Sequence, residues 1–118
     1  MNYDSPKFLL DDVLKATTGN LVTGALEKTF YGISTDSRLV KKGNLFIALK
    51  GEKFDGHDFV NQALQQGAAG IIVHDAKVSK DLTDKNVTVI KVADTLIALG
   101  DLAHEWRKRF SITVIGLT

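Results

Sequence analysis

The sequence predicts an α/β fold built on a sheet with parallel strands, and three observations carry that prediction. Leu45 to Leu49 (LFIAL) and Gly70 to Val73 (GIIV) are continuous apolar runs without alternation, the pattern of strands buried on both faces. Between them Phe59, Val60, Ala63 and Leu64 recur at helical spacing, so the stretch reads as strand, helix, strand. A longer helical pattern over 94–110 follows a further strand, Val87 to Val92.

Taken in order, Ser5 and Pro6 open a first helix, with serine at the N-cap and proline where a missing N–H costs nothing. Leu9, Leu10, Val13 and Leu14 form its apolar stripe, and Gly19-Asn20 ends it. Leu21 and Val22 begin a short strand, and Thr29 to Ser34 form another that delivers Thr-Asp-Ser-Arg. After the strand Leu45 to Leu49, Asp58 caps a helix that stops at Gly67 and leads into Gly70 to Val73. Residues 75–86 are polar and charged and read as a loop.

A boundary falls after the strand ending at Val92. Asp94 caps a long helix with Leu96, Leu99, Ala103, Trp106 and Phe110 along one face, and its last turn carries Arg107, Lys108 and Arg109, which suit the negative end of the helix dipole. The final residues, Ile112 to Thr118, have a buried-strand pattern with no loop after it. The expectation is the N-terminal piece of something longer.

Composition bounds the chemistry. The 118 residues are 44% hydrophobic and 25% charged, an ordinary globular balance. With no cysteine there is no disulfide, thiolate metal site or cysteine nucleophile. A net charge of +1, from 15 Lys and Arg against 14 Asp and Glu, gives no overall field for nucleic acid or anionic lipid. No leader pattern and no apolar run of about 20 residues is present, so the expectation is a soluble, cytoplasmic protein without membrane insertion.

Two clusters flank the strand Leu45 to Leu49. Before it stand Ser34, Thr35, Asp36, Ser37 and Arg38, hydroxyls and a planar guanidinium of the kind that hold a pyrophosphate or a uracil edge. The same residues also suit a plain turn with a surface Asp–Arg pair, and both readings stand. After the strand comes Gly51-Glu-Lys-Phe-Asp-Gly56, at the strand end where open α/β sheets bind ligands. Lys53 offers a charge to a phosphate and Phe54 a face to a base; the alternative is a simple strand-to-helix loop, to which Asp55 and Asp58 belong as turn and cap. His57, His74 and His104 form no metal or triad pattern, and Trp106 reads as a core or interface aromatic.

Taken as a set, I-S-T-D-S-R, K-G-N-L-F-I-A-L-K-G, F-D-G-H-D-F-V and G-A-A-G-I-I-V, spanning Ile33 to Val73, resemble the N-terminal domain shared by the MurE and MurF branches of the Mur ligase family. The segment Val92 to Arg107 looks more like the MurF branch. The resemblance implies a three-layer mixed sheet with flanking helices over residues 1–92, a domain that binds a UDP-linked substrate. It implies that residues 93–118 are the first helix and strand of a P-loop ATPase domain, truncated before its phosphate loop.

The function so implied is the substrate-binding portion of an ATP-dependent ligase that joins D-alanyl-D-alanine to UDP-N-acetylmuramoyl-tripeptide through an acyl phosphate. ATP and Mg²⁺ serve the full-length enzyme, and this piece alone carries no catalytic residue, no metal ligand and no activity. By match to the family's UDP-contacting segments, Thr35, Ser37, Arg38, Glu52, Lys53 and Phe54 are the candidate binding residues. Two alternatives stay open: a MurE-type ligase adding diaminopimelate or lysine, and a stand-alone nucleotide-sugar or regulatory module, as in the similar N-terminal domain of HPr kinase/phosphorylase.

Overall fold

The computed structural model describes residues 7–24, 27–50, 55–74 and 87–109. Its central element is a five-stranded sheet in the order β2-β7-β6-β5-β4. Strands β4 (Ile33–Ser34), β5 (Leu45–Ile47), β6 (Gly70–Val73) and β7 (Thr88–Lys91) run parallel, and β2 (Asn20–Thr23) closes one edge antiparallel to β7. The sheet is therefore mixed, as expected.

The continuous apolar runs are explained by burial on both faces. Leu45, Ile47, Ile72 and Ile90 point to one core, with Leu10, Val13, Ala98 and Leu102 from helices α1 (Leu10–Thr17) and α3 (Thr95–Arg109). Phe46, Ala48, Ile71, Val73 and Val89 point to the other, covered by Val60 and Ala63 of α2 (Val60–Gln65). Helices on both faces make three layers. Leu45 and Phe46, adjacent in sequence, are 0% and 1% exposed on opposite sides, which is the burial that the lack of alternation predicts.

Several expected elements differ in detail. The first helix starts at Leu10, not at Ser5, which lies outside the described residues; Lys7–Leu9 is instead a strand, β1, paired antiparallel with β3 (Thr29–Tyr31). Leu9, in that strand, is exposed, so the stripe of α1 consists of Leu10, Val13 and Thr17, with Leu14 half-buried. The segment Thr29 to Ser34 is two strands in two sheets. Gly32, at φ 83°, breaks it in a conformation that a side chain disfavours.

Helix α3 is capped as expected, with the Asp94 Oδ1 accepting from the N–H groups of Leu96 and Ile97 at 2.8 and 3.1 Å. Its buried face is different from the expected one. Thr95, Ala98 and Leu102 are buried, while Leu96 is 67% exposed and Ala103 is exposed; Leu99 and Trp106 pack at the margin. Phe110, residues 75–86 and the strand expected over 112–118 lie outside the described residues. No helix among the described residues is long and apolar enough to cross a membrane.

Candidate functional site

The chain leaves β4 into a tight turn whose shape is set by its own polar side chains. The Ser34 hydroxyl donates to the Asp36 carbonyl at 2.9 Å and accepts from the Asp36 N–H, and the Leu39 N–H closes the turn on the Asp36 carbonyl. Asn44 fixes the return to β5: its amide donates to the Tyr31 carbonyl at 2.7 Å and its Oδ1 accepts from the Lys41 N–H. The turn is thereby held rigidly at the C-terminal end of the parallel strands.

Arg38 folds back on Asp36. Its Nε and Nη2 donate to the two carboxylate oxygens at 3.1 and 2.9 Å, and its N–H adds a third bond. Those hydrogen bonds hold the Asp36 carboxyl below its ordinary value. The Arg38 side chain is 76% exposed, so the pair is a solvated one, the arrangement of a plain turn, and its guanidinium still faces open solvent. Thr35 is exposed beside it. Ser37 is buried and donates to Gln62 Oε1 of α2 at 2.7 Å.

On the other side of β5, the chain re-enters through Asp55 into a 3-10 turn, Gly56–Phe59, which runs into α2. Asp55, not Asp58, is the cap of this turn, its Oδ1 accepting from the His57 N–H at 3.0 Å. Either aspartate suits a cap by type. Position decides, because the turn begins at Gly56, whose N–H reaches the Leu49 carbonyl at 2.6 Å. A Cβ at Gly56 would stand 2.8 Å from the backbone N and O of Leu49, so this approach admits only glycine. Burial pushes the Asp55 carboxyl up, but the backbone and side-chain hydrogen bonds from His57, with the Lys50 charge nearby, outweigh it and hold the group below its ordinary value.

These two turns face each other across a cleft of about 500 Å³, lined by Thr35, Asp36, Ser37 and Arg38 on one side and by Gly56, Phe59 and Gln62 on the other, with Phe46 between them. Of the residues expected from the sequence, Thr35, Ser37 and Arg38 meet here; Glu52, Lys53 and Phe54 lie outside the described residues. Phe59 and Gln62 were not anticipated as site residues. Phe59 reads in the sequence as part of the core stripe of α2 but is 41% exposed at the cleft. The i, i+3 spacing of Phe59 and Gln62, which puts both on one helix face, was the available signal.

Thr35 and Asp36 also border a second groove of about 700 Å³ on the side of α3, lined by Leu39, Leu99 and Trp106 among others. Ser37 and Arg38 line only the first cleft, where the Arg38 charge and the exposed Thr35 hydroxyl can converge on an anion. Among the described residues no group of three or more His, Asp or Glu could hold a metal ion.

The model for the Mur ligase family, catalytic domain, matches residues 29–107. A UDP-N-acetylmuramoyl-tripeptide–D-alanyl-D-alanine ligase from Bacillus subtilis is 38% identical over 113 residues, covering 95% of this chain and 24% of the relative. A UDP-N-acetylmuramoyl-L-alanyl-D-glutamate–2,6-diaminopimelate ligase from Aquifex aeolicus is 44% identical over 93 residues, 77% of this chain and 18% of the relative. The chain thus spans a quarter or less of the length of these two curated relatives. A crystal structure of MurF from Acinetobacter baumannii superposes with a TM-score of 0.70 at 33% identity, over 83% of this chain and 20% of that one. On the family match over most of its length, the chain belongs to the Mur ligase family.

Proposed function

We propose that this chain is the substrate-binding portion of an ATP-dependent ligase that adds D-alanyl-D-alanine to UDP-N-acetylmuramoyl-tripeptide in the cytoplasm. The observation that carries the reading is the cleft itself: Arg38 and Thr35 open to solvent on one wall, with Ser37 behind them, and the half-exposed Phe59 ring on the other, at the C-terminal end of parallel strands. A guanidinium and the Thr35 hydroxyl suit a diphosphate, and an aromatic face suits a base. Residues 1–92 form the binding unit in this reading, and residues 93–118 begin the ATP-binding one. Glu52, Lys53 and Phe54, which lie outside the described residues, are further candidate contacts to the UDP end by the family resemblance.

ATP and Mg²⁺ belong to the full-length enzyme, where they activate the peptide carboxylate as an acyl phosphate for attack by the incoming amine. The described residues include no metal-ligand set, and the part assigned to this chain in this reading is binding and orientation of the substrate. Holding the remote nucleotide end places the reacting carboxylate and is expressed in kcat/KM.

A second reading, a ligase adding diaminopimelate or lysine, is favoured by the 44% identity to the Aquifex aeolicus enzyme. Phosphate release by the full-length protein, assayed with each UDP-linked acceptor and each candidate amine, separates the two. Turnover only with D-alanyl-D-alanine and the tripeptide is the expected result. Turnover with diaminopimelate or lysine on the shorter peptide establishes the second reading, and no turnover with any pair overturns both.

A further inference from the structure

His57 is buried, makes no contact with the cleft, and has both ring nitrogens engaged. Its Nε2 accepts from the backbone N–H of His74, at the end of β6, at 3.0 Å. A backbone N–H can only donate, so Nε2 carries the lone pair and the neutral ring keeps its proton on Nδ1, which faces Asp55 Oδ1 at 2.5 Å. The His74 ring packs edge-on against it, with centroids 4.2 Å apart. One imidazole in one tautomer therefore ties the 3-10 turn to its cap on one side and to the sheet on the other.

That turn and the helix it starts carry Gly56, Phe59 and Gln62, the whole α2 wall of the cleft. We propose that His57 is the positioning residue of this wall, a buried bracket between Asp55 and the end of β6 that fixes where Phe59 and Gln62 stand opposite Ser37 and Arg38. The bracket sets the affinity of the cleft for the nucleotide end of the substrate without touching it. In this last respect it rests on the nucleotide reading above.

Two near-isosteric substitutions take the bracket apart one bond at a time. The amide of His57→Asn occupies the place of Nδ1 and keeps the bond to Asp55, leaving the His74 N–H without an acceptor. The amide of His57→Gln reaches the place of Nε2 and keeps the acceptor for His74. In the full-length ligase, His57→Asn is expected to raise the KM for UDP-N-acetylmuramoyl-tripeptide about tenfold, the effect of one buried donor left unsatisfied, with kcat and the KM for ATP within about twofold. His57→Gln is expected to stay within about threefold of the wild type, and exchange of the His74 amide proton to quicken in the Asn variant only.

Equal KM increases in both variants reduce His57 to a packing residue and overturn the proposal, as does an Asn variant with unchanged KM, whatever its His74 exchange. A wild-type enzyme that shows no saturation with the UDP-linked substrate sinks the nucleotide reading and the affinity role with it. The exchange measurement alone then decides whether the bracket exists.

Discussion

The Ser37 hydroxyl donates to Gln62 Oε1 at 2.7 Å, joining the turn after β4 to α2 across 25 residues of sequence. It joins the two walls of the cleft directly, so it bears on their spacing as well as on stability. Ser37→Ala and Gln62→Ala are each expected to destabilise the fold by about 0.5–1.5 kcal/mol, and the double variant by less than their sum, because one bond is removed in both. Urea denaturation of the four proteins checks the cycle; full additivity would show that the bond contributes nothing.

At Gly56 the constraint is contact with backbone. An added methyl meets Leu49 N and O at 2.8 Å and Ala48 C at 3.1 Å, atoms that cannot swing aside. Gly56→Ala is expected to cost about 1–3 kcal/mol and to shift Phe59 out of the cleft. Thermal melting reads the first and the fluorescence of a Phe59→Trp reporter the second. A melting temperature equal to that of the parent would mean that the turn has room to retreat.

Acid sensitivity follows from Asp55. Its folded-state value lies below its unfolded one, so the stabilisation is complete above the unfolded value, ordinarily 3.8, and is lost as pH falls through the folded value. The wild type is expected to be more stable than Asp55→Asn at about pH 5, with the gap closing toward about pH 2. Melting temperatures across that range test this, and parallel curves would exclude a contribution from the charged carboxylate.

The buried face of α3 offers a plain contrast. Leu102 is fully buried and Leu96 is 67% exposed, although the two share size and chemistry. Leu102→Ala is expected to cost about 2–5 kcal/mol. Leu96→Ala is expected to stay within about 0.5 kcal/mol of the parent by the same denaturation measurement. The reverse ranking would return the helix to the orientation that its leucines alone suggest.

Those leucines show where sequence reading stops. Strands β5 and β6 were legible because burial on both faces leaves a continuous apolar run. The face of α3 was not, because two stripes compete along it, Leu96-Leu99-Ala103 and Ala98-Leu102, one residue or about 100° apart. What selects between them is α1, which packs on α3 through Leu10 and Val13 and is remote in sequence. Ser5-Pro6 has the form of a helix start, yet the described helix begins at Leu10, after Lys7–Leu9 has paired with β3. At the site, Ser37 and Arg38 stood out by residue type. The Gln62 partner and the His57 bracket did not, since each joins segments that only the folded chain brings together.

The most direct test of the central claim is the kinetics of Arg38→Ala in the full-length ligase. Arg38 is exposed and, among the described residues, bonds only to Asp36 within its own turn, so its loss should leave melting unchanged. A KM for UDP-N-acetylmuramoyl-tripeptide raised by about 5- to 100-fold, the range for a lost charged hydrogen bond, with the KM for ATP unchanged, is the result predicted for a nucleotide clamp. An unchanged KM for the UDP-linked substrate would return Thr35 to Arg38 to the role of a turn and place the nucleotide elsewhere.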